Sequence, residues 1–247
     1  MTAEPFLILG ADRPSRWLIT CDHATNRVPA CVGGGSLGIA PADMERHIAY
    51  DIGAAGVTRR LAERLDAPAI LSDFSRLVID PNRGEDDPTL VMKLYDSTLI
   101  PVNRQVDAAE VERRLQAFHR PYHDALESLA ARRSDTVICA VHSFTPRLVG
   151  RAERPWHVGV LYSHRDPRLA LSLLARLRAE GDLCVGENEP YGGHLDGDSI
   201  DRHALTPGRP NVLVEIRHDL IRSADGQIAW ANRLAPILEA ALAGADL

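Results

Sequence analysis

Three apolar runs in this chain end abruptly in residues that carry chemistry. Trp17-Leu18-Ile19-Thr20-Cys21 stops at Asp22-His23, Thr136 through Val141 stops at His142-Ser143-Phe144, and Asn211-Val212-Leu213-Val214 stops at Glu215-Ile216-Arg217. Short continuous apolar runs bounded by polar residues read as strands buried on both faces. Pro68–Leu71, Arg76–Asp80, Trp156–Tyr162 and Leu183–Val185 are read as further strands, the second of them stopped by Pro81-Asn82-Arg83-Gly84. Helical spacing appears between them. Ile48, Ile52, Val57, Leu61 and Leu65 repeat along Asp43–Leu65, with Gly53 and Gly56 as weak points. Asp107 followed by Glu110 resembles a capping box and opens a helix predicted to run to about Arg133, which Pro121 should kink or split. Asp166–Glu180 is an amphipathic helix stopped by Gly181, and Asp225–Ala243 is another. The Gly/Pro-rich stretch Pro29–Pro41 and the polar stretch Glu187–Pro210 are loops, and Glu85–Arg104 is irregular enough to cover a pocket.

Strands alternating with helices predict an α/β fold of three αβα layers around a mostly parallel sheet. The 247 residues fit one domain, 1–247. An apolar share of 45% supplies a sizeable core. A formal charge of -6 leaves no basic footprint, so a nucleic-acid partner is not expected. No apolar run approaches the roughly 18 residues that span a bilayer. The N-terminus lacks a basic segment and a small-residue cleavage site, so the expected location is the cytoplasm. Cys21, Cys31, Cys139 and Cys184 have no metal or redox spacing and read as free thiols.

Ligands of open α/β sheets bind at the carboxyl ends of the strands. His23, His142 and Glu215 are all delivered to that edge. Two imidazoles and a carboxylate base are the minimum parts of a zinc hydrolase. Other motifs weigh less. Gly33-x-Gly35-x-x-Gly38 and Gly34-x-Ser36-x-Gly38 match a dinucleotide fingerprint and a nucleophile elbow by spacing alone, because Pro29 spoils the strand both require. His119 and His123 lie four apart on a helix without the glutamate of a metalloprotease motif, so a structural or surface role is expected. His194, in Tyr191-Gly192-Gly193-His194, sits on a loop that could reach a site.

Assembled, these segments resemble the N-formylglutamate amidohydrolase family. The resemblance spans most of the chain. It rests on Cys21-Asp22-His23-Ala24-Thr25-Asn26-Arg27-Val28-Pro29, on Tyr50-Asp51-Ile52-Gly53, and on Ser75-Arg76-Leu77 leading to Asp80-Pro81-Asn82-Arg83. It continues through Val141-His142-Ser143-Phe144, Asn188-Glu189-Pro190-Tyr191 and Val214-Glu215-Ile216-Arg217. It implies a phosphorylase/hydrolase-like core and zinc-assisted hydrolysis of the amide of an N-acyl amino acid. One zinc ion would be held by His23, Asp51 and His142, with Asp51 drawn from the helix after the first strand. Glu215 would be the general base. Asn82-Arg83 resembles the pair that grips a substrate carboxylate in carboxypeptidase-like enzymes, with Arg76, Arg217, Asn26 and Tyr191 as further substrate-side candidates.

Two departures qualify what the resemblance implies. Asn26 stands where an H-x-x-E motif would place a glutamate ligand, so Asn26 is expected to orient a ligand or water from behind. The His23 segment is also not of the P-H-x-G form, which leaves N-formylglutamate as one substrate among several. The alternatives are a peptidase or amidase with another substrate, and a degenerate, metal-free binding protein for acidic metabolites. The oligomeric state stays open.

Overall fold

The computed structural model describes residues 4–247. In chain order its elements are β1 (Phe6–Leu9), β2 (Trp17–Cys21), α1 (Pro41–Met44), α2 (Ala54–Arg64) and β3 (Ala69–Ser72). A small hairpin, β4 (Leu94–Tyr95) and β5 (Thr98–Leu99), precedes α3 (Pro101–Arg104), α4 (Ala108–Arg114) and α5 (Arg120–Ala130). Then come β6 (Val137–Phe144), β7 (Val158–Leu161), α6 (Arg168–Ala179), β8 (Val185–Glu187), β9 (Asn211–Arg217) and α7 (Ala224–Ala243). Seven strands form one sheet in the order β1-β3-β2-β6-β9-β7-β8. The central block β3-β2-β6-β9 is parallel, β7 runs antiparallel to β9 with β8 parallel to it, and β1 is an antiparallel edge. The expected three-layer, mostly parallel architecture is therefore present.

From β2 the chain passes through α2 to β3 on one side, and it later returns as β6 on the other side of β2. Connections that diverge from neighbouring strands open a crevice at their carboxyl ends. That crevice lies where β2 delivers His23 and β6 delivers His142. Alternation along the strands assigns each face its cover. Ile19, Cys21, Val141 and Val214 pack with Val57, Leu173 and Leu234 of α2, α6 and α7. Leu18, Ile70, Ile138 and Leu213 pack with Phe118, Tyr122 and Leu126 and with the buried segment Leu77–Ile79. No helix of the described residues is long and apolar enough to cross a membrane.

Several expectations need correction. Arg76–Asp80 is not a strand. Leu77, Val78 and Ile79 are fully buried, but in a looped segment whose carbonyls are met by side chains. Asn103 donates to the carbonyl of Leu77 at 2.7 Å and Arg114 to that of Val78 at 2.7 Å. An apolar run whose polar backbone is satisfied this way looks like a strand in sequence. The helix read over Asp43–Leu65 is two helices, and Asp51 sits in the turn before α2. The break falls at Gly53, with φ of 83°, where an added Cβ would lie 2.1 Å from the carbonyl oxygen of Ile221. The helix opened by Asp107 is split as Pro121 requires: Leu115–His119 widens into a π turn between α4 and α5. The capping contact is present, with Glu110 N donating to Asp107 at 2.9 Å. β1, the β4–β5 hairpin and a helical turn at Asp201–Leu205 were not anticipated.

Candidate active site

The side chains of His23, Asp51 and His142 meet at the crevice, each at most 3% exposed. His23 lies just past β2, and His142 lies within β6. Asp51 is brought in by its turn, where its backbone N–H donates to the carbonyl of His23 at 2.9 Å. Both Nδ1 atoms face the same carboxylate oxygen: Asp51 Oδ2 is 3.3 Å from that of His23 and 2.9 Å from that of His142. The Nε2 atoms point away, each at a second carboxylate. That of His23 lies 2.7 Å from Asp80 Oδ1, and that of His142 lies 3.4 Å from Asp22 Oδ2. Asp22 is fixed in turn by the Tyr122 hydroxyl, which donates at 2.6 Å, and Asp80 by Arg76 at 2.8 and 3.1 Å. Glu215 pairs in register with His142 across β6 and β9, so both side chains occupy the same face. Its Oε2 is buried with no hydrogen-bond partner.

The electrostatics follow from burial and from these partners. Burial pushes Asp51 upward, but the charge and hydrogen bonds of both histidines hold it below the usual carboxylate range. Asp22 follows the same logic and lies at about 2, while Asp80 is kept low mainly by Arg76. Burial disfavours a charged His142, yet Asp22 and Asp51 raise it well above the ordinary imidazole value. Glu215 goes the other way. Burial, with Asp51 adding to it, lifts its carboxyl to about 7 against the pull of His142, His23 and Arg76. A carboxyl that titrates near neutrality and has an unpaired oxygen suits a general base.

A cavity of about 310 Å³ opens over this cluster. Arg76, Asn82, Arg83, Tyr191 and His194 line it. Asn26 and Arg217 do not. Asn26 turns away to donate to the carbonyl of Met44 at 2.9 Å, and Arg217 is spent on Asp219 and on the carbonyls of Arg154, Pro155 and Trp156. Arg76 reaches the cavity but commits three nitrogens to Asp80 and Asp51, which makes it a brace for the cluster. Arg83 is freer: it donates to Thr89 and to the carbonyl of Asn82.

The residues not foreseen are Asp22, Asp80 and Asp198. The first two sit in the motifs that carry the resemblance, and their signal was adjacency to His23 and to Asn82. Asp198, a cavity-wall carboxyl that burial raises to about 6, lay inside a polar loop and gave no pattern.

His23, Asp51 and His142 each offer one ligand atom, all within 4.8 Å of one another. The donor set fits a divalent transition metal. Imidazole nitrogens face inward; the remote nitrogen of His23 is held by Asp80 at 2.7 Å, and that of His142 faces Asp22 at 3.4 Å as an ion-pair contact without a hydrogen bond.

Comparisons with known proteins identify the family. Residues 15–222 match the family model for N-formylglutamate amidohydrolase. The chain is 28% identical over 238 residues to the N-formylglutamate deformylase of Pseudomonas aeruginosa, covering 87% of this chain and 85% of that protein. A gene product of Agrobacterium tumefaciens has a crystal structure similar at a TM-score of 0.91 and 35% identity, over 98% of this chain and 96% of that one. The N-formylglutamate amidohydrolase of Ralstonia eutropha JMP134 shares the fold at a TM-score of 0.73 and 22% identity, over 98% of each chain. The family match extends from β2 past β9 and so takes in the whole cluster; the chain belongs to the N-formylglutamate amidohydrolase family.

Proposed function

We propose that this chain, acting as a single domain, is a zinc-dependent amidohydrolase that cleaves the amide of an N-acyl amino acid such as N-formylglutamate. The observation that carries this reading is the convergence of His23, Asp51 and His142 beside the unpaired Glu215 oxygen. His23, Asp51 and His142 would hold the ion. A divalent ion there supplies Lewis acidity, which polarises the acyl carbonyl and makes water a better nucleophile at neutral pH. Glu215 takes a proton from the attacking water as the C–O bond forms and returns it to the nitrogen as the C–N bond breaks. Asp80 and Asp22 hold the two imidazoles in orientation. Arg83, with Asn82, grips the substrate carboxylate. A planar guanidinium matches a carboxylate with two parallel hydrogen bonds, and Arg83 retains donors to offer. Tyr191, on the Gly-rich loop at the cavity mouth, closes over the bound substrate.

The test is elemental analysis of the purified protein and of His142→Ala, together with turnover of N-formyl-L-glutamate and a panel of other N-acyl amino acids. One zinc per chain, lost in the variant, and release of a free amino acid are expected. A metal-free protein that binds acidic metabolites without turning them over would overturn the reading.

A further inference from the structure

Behind the Asn82–Arg83 segment lie three buried histidines that the hydrolytic step does not use. His119 Nε2 is 3.0 Å from the carbonyl oxygen of Arg83, and His123 Nε2 is 2.9 Å from that of Pro81. These two carbonyls bracket Asn82, so the histidines grip the segment on both sides of it. A carbonyl oxygen only accepts, which requires each ring to carry its proton on Nε2. For His123 that leaves Nδ1 as an acceptor, and His203 Nε2 stands 2.8 Å from it. The other nitrogen of His203 lies 3.0 Å from Glu127, whose carboxylate Arg209 fixes at 2.7 and 2.9 Å; a neutral His203 has one ring proton and donates to either His123 or Glu127, not to both. His119 Nδ1, unprotonated in this tautomer, is buried with no partner. The rings of His119 and His123 lie against each other with centroids 4.3 Å apart and planes tilted by 59°. All three histidines are at most 3% exposed, although they come from α5, the π turn before it and the helical turn at Asp201–Leu205.

The segment they hold has little else of its own. It is neither helix nor strand. Its other ties are Asn82 N donating to Asp80 at 2.9 Å, Asn82 accepting from Ser199 N at 3.2 Å, Ser199 Oγ donating to the Pro81 carbonyl at 3.4 Å, and the Arg83 side chain donating to Thr89 and to the Asn82 carbonyl. We propose that His119 and His123 are positioning residues for the substrate-carboxylate site, holding Asn82 and Arg83 in place through the flanking carbonyls. This rests on the reading of Arg83 as the carboxylate anchor.

Asparagine and glutamine separate the role from simple packing. A glutamine amide reaches the position of Nε2, whereas asparagine stops near Nδ1. Steady-state kinetics with zinc-loaded protein and N-formyl-L-glutamate would compare His123→Asn, His123→Gln, His119→Asn, His119→Gln and Arg83→Ala, with thermal melts of each. Loss of one buried hydrogen bond to the segment should raise KM about five- to tenfold in the asparagine variants with kcat little changed. The glutamine variants should recover most of that loss. Equal losses in the asparagine and glutamine variants, or a fall in kcat that tracks the melting temperature, would mean packing alone and overturn the proposal. If Arg83→Ala raises KM but His123→Asn does not, the clamp fails and the anchor stands. If Arg83→Ala leaves KM unchanged, the anchor fails and takes the clamp with it.

Discussion

Replacing Glu215 by glutamine keeps the shape of the side chain and removes its charge. The structure makes opposite predictions for activity and stability. In the folded protein the Glu215 carboxyl is lifted from an ordinary value of 4.5 to about 7, first by burial. The unfolded chain releases this proton at the ordinary value, and the folded chain only near the raised one. Between the two the native state binds more protons, so stability contributed below 4.5 is lost progressively as pH rises through about 7. Each pKa unit corresponds to about 1.4 kcal/mol, so above both values the ionised side chain costs about 3 kcal/mol. Glutamine carries no such cost. Metal-free Glu215→Gln should match the wild type near pH 5 and exceed its stability by up to about 3 kcal/mol near pH 8. Turnover should fall by a factor on the order of 100 or more, because no base takes the proton from water. In the wild type, activity should rise with pH as Glu215 ionises, with a bound cation drawing that midpoint below 7. The assay is guanidinium unfolding of chelator-treated proteins at both pH values, with rates measured on the zinc-loaded forms. A stability gap that fails to widen with pH would refute the buried-carboxyl argument. A variant with near-normal turnover would remove Glu215 from the chemistry.

Other substitutions test the supporting structure. Asp80→Asn removes the charge that faces both His23 and Arg76; zinc affinity should drop about 10- to 100-fold in chelator competition. The same change leaves the Arg76 cation with Asp51 alone at 3.5 Å, and denaturant melts should show a loss of about 3–5 kcal/mol. Unaltered zinc affinity would show that Asp80 does not orient the ligand. Gly53→Ala places a Cβ against the Ile221 carbonyl at a positive φ, and should cost about 1–3 kcal/mol while displacing the turn that carries Asp51. Thermal melts and zinc content measure the two effects, and normal values for both would contradict the strained-turn account.

The strands that deliver His23, His142 and Glu215 were legible because a strand buried on both faces writes an unbroken apolar run, although β6 and β9 continue two residues past His142 and Glu215. Asp51 was legible as a residue but not in its setting, since helical spacing runs through the turn that Gly53 imposes. Leu77–Ile79 misled for the reason that makes them useful: their backbone is satisfied by the side chains of Asn103 and Arg114, which local periodicity does not reveal. Asn26 and Arg217 adjoin the right residues in sequence, yet the first turns back to Met44 and the second ties down the strand end. Asp22 and Asp80 meet Tyr122, Arg76 and the two histidines only in the folded protein. The histidines of α5 had a helical spacing and no visible target, because the carbonyls they meet belong to a segment some 40 residues earlier.

The strand carrying Glu215 is the last of the sheet in chain order, yet it is inserted between β6 and β7. A nascent chain that has not yet emerged past Asn211 therefore presents two unpaired interior strand edges, the kind of surface that recruits stray partners. Closing that gap brings Glu215 into register beside His142, so assembly of the sheet and completion of the cluster are one event. Chains interrupted upstream of β9 should be recovered as aggregates and not as soluble, merely inactive protein.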